Sequence, residues 1–116
     1  MVISRNSMVL ETREKVRDGQ GTAAFTHFVE GKGAVQKNTN LLAEITLPQG
    51  ASIGYHQHID ETEFYLILEG TGTVNDNGKE KPIQPGDAMI TGNGAFHSIA
   101  NTGGIPLKMI AAIIKG

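Results

Sequence analysis

Short segments in which apolar and polar residues alternate, separated by turn residues, run through most of the chain. Residues 41–47 show the alternation most clearly, because every second side chain is apolar: Leu41, Ala43, Ile45 and Leu47. The other face of this segment carries Glu44 and Thr46 beside Leu42. A period of two places the apolar side chains on one face of a strand. The pattern therefore predicts a β-strand that ends at the turn Pro48–Gly50.

Further short strands are predicted along the rest of the chain. They lie at residues 23–29, 53–58, 63–68, 71–74, 79–83, 88–90, 95–100 and 107–114. The dipeptide Asn77-Gly78 predicts a tight hairpin, since both residues tolerate positive φ. Short strands with turns every 8–12 residues or so are typical of an antiparallel sandwich or barrel. The predicted fold class is all-β.

Residues 1–21 are less regular than the rest. The segment Glu11–Arg17 has helix-forming composition but no apolar stripe, so any helix there is expected to be short and solvated. We therefore predict an N-terminal arm at residues 1–21, with a short helix as an option, and one domain at residues 22–116.

Composition narrows the class of protein. The chain has 116 residues, of which 39% are hydrophobic and 19% charged, as in one ordinary soluble domain. The net charge of −2 and the absence of a Lys/Arg run argue against a nucleic-acid partner. The absence of cysteine excludes disulfides and thiolate metal sites. No apolar stretch is long enough for a membrane span or a signal peptide, so we expect a cytoplasmic protein without a membrane partner.

Three histidines and one glutamate are candidates for a metal site. His56 and His58 lie two residues apart, which puts both imidazoles on one face of a strand. Glu63 begins the next predicted strand, so a hairpin would bring it beside them, and His97 lies in the segment 95–100. Imidazoles with one carboxylate suit Mn, Fe, Co, Ni, Cu or Zn.

Each of these residues also has a purely structural alternative. A lone buried histidine commonly bonds a backbone carbonyl, and His27 is interpreted in this way. Glu63 by itself could be an exposed carboxylate or one partner of a salt bridge. For His56 and His58 together the alternative is weaker, because two histidines on the same half-buried face leave polar groups to satisfy.

Glycines at fixed offsets from these candidates form two motifs. The first, at residues 50–70, contains Gly50, His56, His58, Glu63 and Gly70, and the second, at residues 86–101, contains Gly86, Gly92, Gly94, His97 and Asn101. This arrangement resembles the two sequence motifs of the cupin family. The family pattern usually has proline where this chain has Gly92, a change that loosens one turn without touching the candidate ligands.

The resemblance implies a single small antiparallel jelly-roll β-barrel, the double-stranded β-helix. It also implies one divalent transition metal ion held inside by His56, His58, Glu63 and His97. Four protein ligands leave two positions free on an ion that prefers six, and a small oxygen-rich molecule could bind there. Three functions remain open. They are an enzyme of dioxygenase, decarboxylase or isomerase type, a non-catalytic binder of a carboxylate or sugar, and a structural barrel. The enzyme is favoured, since open coordination positions are costly to keep empty.

Two candidates for a catalytic role lie near the ligands in the pattern. Tyr65 shares the inward parity of Glu63, so it is expected to line the cavity. Glu44 would be a proton shuttle if its carboxylate points into the interior. The resemblance also implies a homodimer, since small barrels expose strand edges that need cover, and we expect Ala23–Val29 to contribute to the contact.

Overall fold

The structure is a computed structural model that describes residues 1–116, and it consists of short strands with two single-turn 3-10 helices. The strands are β1 (Val9–Glu14), β2 (Thr22–His27), β3 (Thr39–Leu47), β4 (Ser52–Gln57), β5 (Glu61–Glu69), β6 (Gly72–Asp76), β7 (Lys79–Ile83), β8 (Ala88–Thr91), β9 (Phe96–Ala100) and β10 (Leu107–Lys115). The 3-10 helices are Arg5–Ser7 and Val16–Asp18. Neither has the length or the hydropathy that crossing a bilayer requires.

Two antiparallel sheets make up the architecture. The larger sheet has the order β1-β2-β3-β10-β5-β8, and the smaller has the order β4-β9-β6-β7. This arrangement confirms the all-β prediction and is consistent with a jelly roll. The expected closed barrel is not formed, because the sheets do not pair with each other and each keeps two free edges, β1 and β8 in one and β4 and β7 in the other.

The core lies between the sheets and follows from the alternation in the sequence. On β3 the side chains of Ala43, Ile45 and Leu47 are at most 1% exposed, as the period of two predicts. Strand β10 pairs with β3 and adds Leu107 and Met109, both fully buried. Burial of large aliphatic side chains is the main favourable contribution to the stability of such a core. The larger sheet is therefore tightly packed at β3 and β10.

The N-terminal residues form a strand in place of the short helix considered for this arm. Residues 9–14 form β1, which pairs along its whole length with β2, and only Val16–Asp18 makes a single 3-10 turn. Pairing with β2 satisfies the backbone of this charged segment, which has no apolar stripe to hold a helix against the core. Arg13 covers the ring of Phe25 on the neighbouring strand, with the guanidinium carbon 4.6 Å from the ring centroid.

Ala23–Val29, the segment expected to take part in a dimer contact, does not lie at an exposed edge of the sheet. Strand β2 lies between β1 and β3 and pairs with both. The sheet edge next to β2 is β1, so the argument for a dimer contact at Ala23–Val29, which required an exposed edge there, loses its basis. The predicted hairpin at Asn77-Gly78 is confirmed, with φ of 50° and 100° between β6 and β7.

Candidate metal centre

The four predicted ligands come from both sheets. His56 lies on β4 and is paired in register with His97 on β9, in the smaller sheet. The β4–β9 register is irregular between Ile53 and His56, and both of these side chains share the inner side. His58 follows the end of β4, while Glu63 projects from β5 of the larger sheet and is only 4% exposed. The cluster therefore joins the two sheets across the interior.

The ligand atoms of these residues converge on one point. His58 Nε2 lies 3.0 Å from both His56 Nε2 and His97 Nε2, and the latter two are 3.2 Å apart. The Glu63 Oε1 atom lies 3.1 Å from His58 Nε2 and 3.0 Å from His97 Nε2. One donor atom from each residue lies within 4.8 Å of all the others. Residue spacing and the resemblance to the cupin motifs predicted these four residues, and the fold brings all of them together.

The second nitrogen of each imidazole faces away from the cluster. His56 Nδ1 lies 2.6 Å from the carbonyl oxygen of Gly54, to which it donates. His97 Nδ1 lies 2.8 Å from the hydroxyl of Thr91, and His58 Nδ1 lies 3.4 Å from a carboxylate oxygen of Glu61. The short contacts of His56 and His97 fix the orientation of those two rings and leave their Nε2 lone pairs free for a metal ion, whereas His58 Nδ1 has no hydrogen-bond partner.

The protonation of the cluster suits a cation. Burial alone raises the pKa of Glu63, but hydrogen bonds from His58 and His97 outweigh it and hold the pKa at about 2, so the carboxylate is charged near neutral pH. Burial lowers the pKa of His56 and favours its neutral form. The bond to Glu63 raises the pKa of His58. A metal ion competes with that proton, since its ligands must be deprotonated.

The donor set fits a divalent transition metal ion. If each Nδ1 carries the proton, the three Nε2 atoms hold only lone pairs and cannot satisfy one another by hydrogen bonding. Ligand atoms that lie at right angles and about 2.1 Å from one ion are about 3.0 Å apart. The separations of 3.0–3.2 Å between the Nε2 atoms match that spacing. His56, His58, Glu63 and His97 could therefore hold one metal ion.

A cavity of about 210 Å³ opens onto the cluster. Its walls are mixed: apolar lining comes from Val16, Phe25, Leu41, Ile45, Ile53 and Ile113, beside polar and charged side chains. Its charged lining residues, apart from the cluster, are Arg13, Arg17, Lys32 and Glu61. A larger cavity of about 460 Å³ shares Arg13 and Lys32 but touches none of the four candidate ligands, so the smaller cavity is the functional candidate.

The two predicted catalytic candidates lie in different places. Tyr65 lines the cavity, and its ring stacks on His97 with centroids 5.2 Å apart and planes at 11°. Glu44 lies on the outer side of the larger sheet, where Arg5 donates to both of its carboxylate oxygens at 3.2 Å. Because the buried positions of β3 are its neighbours in sequence, Glu44 does not line the cavity, and the shuttle hypothesis loses its premise.

Several residues of the site were missed by the sequence reasoning. Glu61 has the parity of Glu63 on β5, which would have been a usable signal. Arg13, Arg17 and Lys32 come from the N-terminal half of the chain, where no motif marked them. The pairing of β1 with β2 and the packing of the following turn on β4 bring Arg13 and Arg17 to the cavity, and Lys32 reaches it from the connection between β2 and β3.

The chain belongs to the cupin family, whose domain matches residues 43–113, a span that contains all four candidate ligands. The oxalate-binding protein of Thermotoga maritima is 40% identical over 114 residues, which cover 98% of this chain and 93% of that protein. The crystal structure of a predicted oxalate decarboxylase from Thermotoga maritima has a TM-score of 0.93 and 39% identity, with 100% of both chains covered.

A more distant structure extends the likeness of fold alone. A sugar phosphate isomerase of the cupin superfamily from Silicibacter pomeroyi has a TM-score of 0.74 at 18% identity, covering 100% of this chain and 76% of that one. A protein of Methanocaldococcus jannaschii is 33% identical over 94 residues, which cover 81% of this chain and 72% of that protein.

Proposed function

We propose that this chain binds one divalent transition metal ion through His56, His58, Glu63 and His97 and uses it to bind a small carboxylate of the oxalate class. The observation that carries the proposal is the convergence of four ligand atoms within 4.8 Å beside a small cavity with both polar and apolar lining residues. The name of the Thermotoga maritima oxalate-binding protein, 40% identical over nearly the whole chain, supports the choice of ligand.

Each residue of the site has a defined task in this proposal. Glu63 supplies a negative charge, and the imidazoles supply neutral nitrogen ligands, of which His56 and His97 are oriented by hydrogen bonds at Nδ1. A bound divalent ion supplies positive charge that holds and polarises carboxylate oxygens. The volume of about 210 Å³ favours a small organic acid over a nucleotide or a long sugar.

The ligand set admits several ions. Nitrogen and carboxylate ligands without thiolate suit Mn, Fe, Co, Ni, Cu and Zn, and the ions differ in affinity and in preferred geometry. We expect the ion to be one of these six, with one ion per chain. Elemental analysis of the protein purified without added metal identifies it.

A second candidate function is turnover of the bound acid in a decarboxylase-type reaction. Two groups outside the ligand set line the cavity and can carry a proton, the Glu61 carboxyl and the Tyr65 hydroxyl. Burial, with the nearby Glu63 charge, raises the pKa of Tyr65 well above its ordinary value, so its hydroxyl stays protonated. In such a reaction the C–C bond of hydrogen oxalate breaks, carbon dioxide leaves, and a proton joins the remaining carbon to give formate.

Two measurements separate binding from turnover. Calorimetric titration of the metal-loaded protein with oxalate detects binding, and formate production over hours detects turnover. Binding without formate supports the binding function and rejects the enzyme. Formate that disappears when the metal is removed supports the enzyme.

The metal site itself is tested by substitution. His97→Ala removes a nearly fully buried ligand, so the purified variant should lose most of its metal while oxalate no longer binds. The matched control is His27→Ala, because His27 pairs with Glu11 at 2.8 Å and lies outside the cluster. Unchanged metal content in His97→Ala contradicts the proposal.

We further propose that two copies of the chain pair through the outer side of β5 and β8. Phe64, Leu66 and Ile90 are 40–64% exposed there, and Phe64 is paired in register with Ile90. The accessible surface of 6788 Å² exceeds the roughly 6,100 Å² typical of a monomer of this mass. The excess is similar to the ~800 Å² that one partner buries in a standard interface.

A further inference from the structure

The turn between β1 and β2 has an uncommon backbone. Lys15, Arg17 and Asp18 all have left-handed conformations, with φ of 49°, 53° and 63°. Side chains other than glycine rarely adopt this region, because Cβ crowds the backbone carbonyl. Such strain persists only where the surroundings impose it, and it clusters at ligand-binding sites. The packing around this turn therefore has to hold its backbone in this conformation.

The turn lies directly on the strand that carries His56. A Cβ atom at Gly54 would collide with the carbonyl oxygen of Arg17, and one at Gly19 would collide with that of Ser52. Two glycines thus allow backbone to lie against backbone at this point. The Gly54 carbonyl also accepts the hydrogen bond from His56 Nδ1, so Gly54 contacts both the turn and the candidate ligand.

This packing places Arg17 at the cavity that opens onto the metal centre. Arg13, on the strand before the turn, and Lys32 line the same cavity. Arg13 is held in position by Glu11, whose carboxylate accepts its hydrogen bond at 3.0 Å, and by the Phe25 ring beneath it. Neither Arg17 nor Lys32 forms a salt bridge within the chain, so both cations are free to bind an anion in the cavity.

The balance of charge in the cavity favours an anion. Against the three cations stand two carboxylates, Glu61 and Glu63, and Glu63 is one of the four metal-ligand candidates. A bound divalent ion adds two positive charges to this cavity. A ligand with a single negative charge leaves much of that charge uncompensated, whereas a small dianion compensates more of it.

We infer that the strained turn holds Arg17 as an anion clamp, which together with Arg13 and Lys32 binds the outward oxygens of a small dianion whose other oxygens lie at the metal centre. This inference rests on the proposed function and adds the charge class of the ligand and the residues that select it. Arginine suits the task because its planar fork binds carboxylate with two parallel hydrogen bonds.

The test compares oxalate with glycolate, a chelator of similar size that carries one negative charge. Both are titrated calorimetrically into the manganese-loaded wild type and into manganese-loaded Arg17→Asn. Asparagine tolerates the left-handed backbone, so this variant removes the charge without adding strain. Arg5→Gln is the matched control, because Arg5 pairs with Glu44 on the outer side of the larger sheet.

We expect Arg17→Asn to weaken oxalate binding about 10- to 100-fold, as loss of a charge-assisted hydrogen bond does, while glycolate binding changes less than about threefold. Its manganese content and unfolding temperature should equal those of the wild type, and Arg5→Gln should bind both ligands normally. Unchanged oxalate affinity, or an equal loss for both ligands, overturns the clamp and leaves the proposed function intact. Failure of the manganese-loaded wild type to bind oxalate overturns both.

Discussion

At the scale of single residues, the site depends on the contact that each imidazole makes through Nδ1, the nitrogen that faces away from the cluster. His56 and His97 have short contacts at Nδ1, 2.6 Å to a carbonyl and 2.8 Å to a hydroxyl. The contact of His58 Nδ1 with Glu61 is longer, at 3.4 Å, and falls outside good hydrogen-bond geometry. The orientation of His97 therefore depends on Thr91 more than that of His58 depends on Glu61.

Replacing Thr91 by the isosteric valine tests this dependence. Thr91→Val keeps the side-chain volume at a site that is 1% exposed but leaves His97 Nδ1 without its partner. We expect metal affinity to fall about 10- to 100-fold, measured by competition with a chelator of known affinity. Thr73→Val is the control, since Thr73 bonds only the exposed Thr102. Equal affinities in the two variants contradict the role given to Thr91.

Sequence reasoning reached the ligands but not their surroundings. A period of two and a hairpin are local rules, and they brought His56, His58 and Glu63 together. His97 lies 39 residues from His58, and the resemblance to the cupin motifs placed it with them. The outward position of Glu44 could not be predicted in the same way. Its partner Arg5 lies 39 residues away, in a segment without alternating apolar and polar residues. Long-range pairings of exposed charges leave no periodic signal in a single sequence.

At the scale of elements, the N-terminal strand and turn were the least predictable part of the fold. Residues 9–14 carry charges on both sides, so nothing alternates, and their strand exists because β2 offers a paired edge. Strands such as β3, β5, β8 and β9 were predictable in type, because more buried and more exposed positions alternate along them, whereas β7 is exposed along most of its length. The irregular register of β4 was not predictable, since it arises from pairing with β9.

The close packing of the turn on β4 can be tested by adding one methyl group. In Gly54→Ala the new Cβ meets the backbone carbonyl of Arg17, so the turn must move away from the strand. We expect the free energy of unfolding to fall by about 1–3 kcal/mol, measured by urea denaturation, and oxalate affinity to fall with it. In the control Gly104→Ala the Cβ has nothing within 4 Å, so stability should stay near the wild-type value. Equal stability of the two variants contradicts the packing argument.

At the scale of the whole molecule, the two sheets differ in width and in what covers them. The inner sides form one core, whereas β5 presents apolar residues on both sides, with Tyr65 and Ile67 buried and Phe64, Leu66 and Leu68 outside. A nearly continuous apolar run predicted a strand at 63–68 but not which side would be left exposed. The homodimer therefore stays a prediction, and the surface proposed for it is the outer side of β5 and β8.

Sedimentation velocity at micromolar concentration tests the pairing. The wild type should sediment at twice its monomer mass of 12.4 kDa, and the double variant Leu66→Lys/Ile90→Lys should sediment as a monomer that keeps its metal. Charges placed in an apolar contact oppose association because they lose hydration without gaining partners. The control is Ile105→Lys, which changes a 58% exposed isoleucine outside the strands. A wild-type monomer contradicts the pairing.

The measurement that tests the central claim most directly is an anomalous difference map from crystals of the protein soaked in manganese. The account predicts one strong peak per chain, about 2.1–2.3 Å from Nε2 of each of the three histidines and from a Glu63 oxygen. Imidazoles turned away from a common point, or manganese bound only elsewhere on the chain, would contradict it.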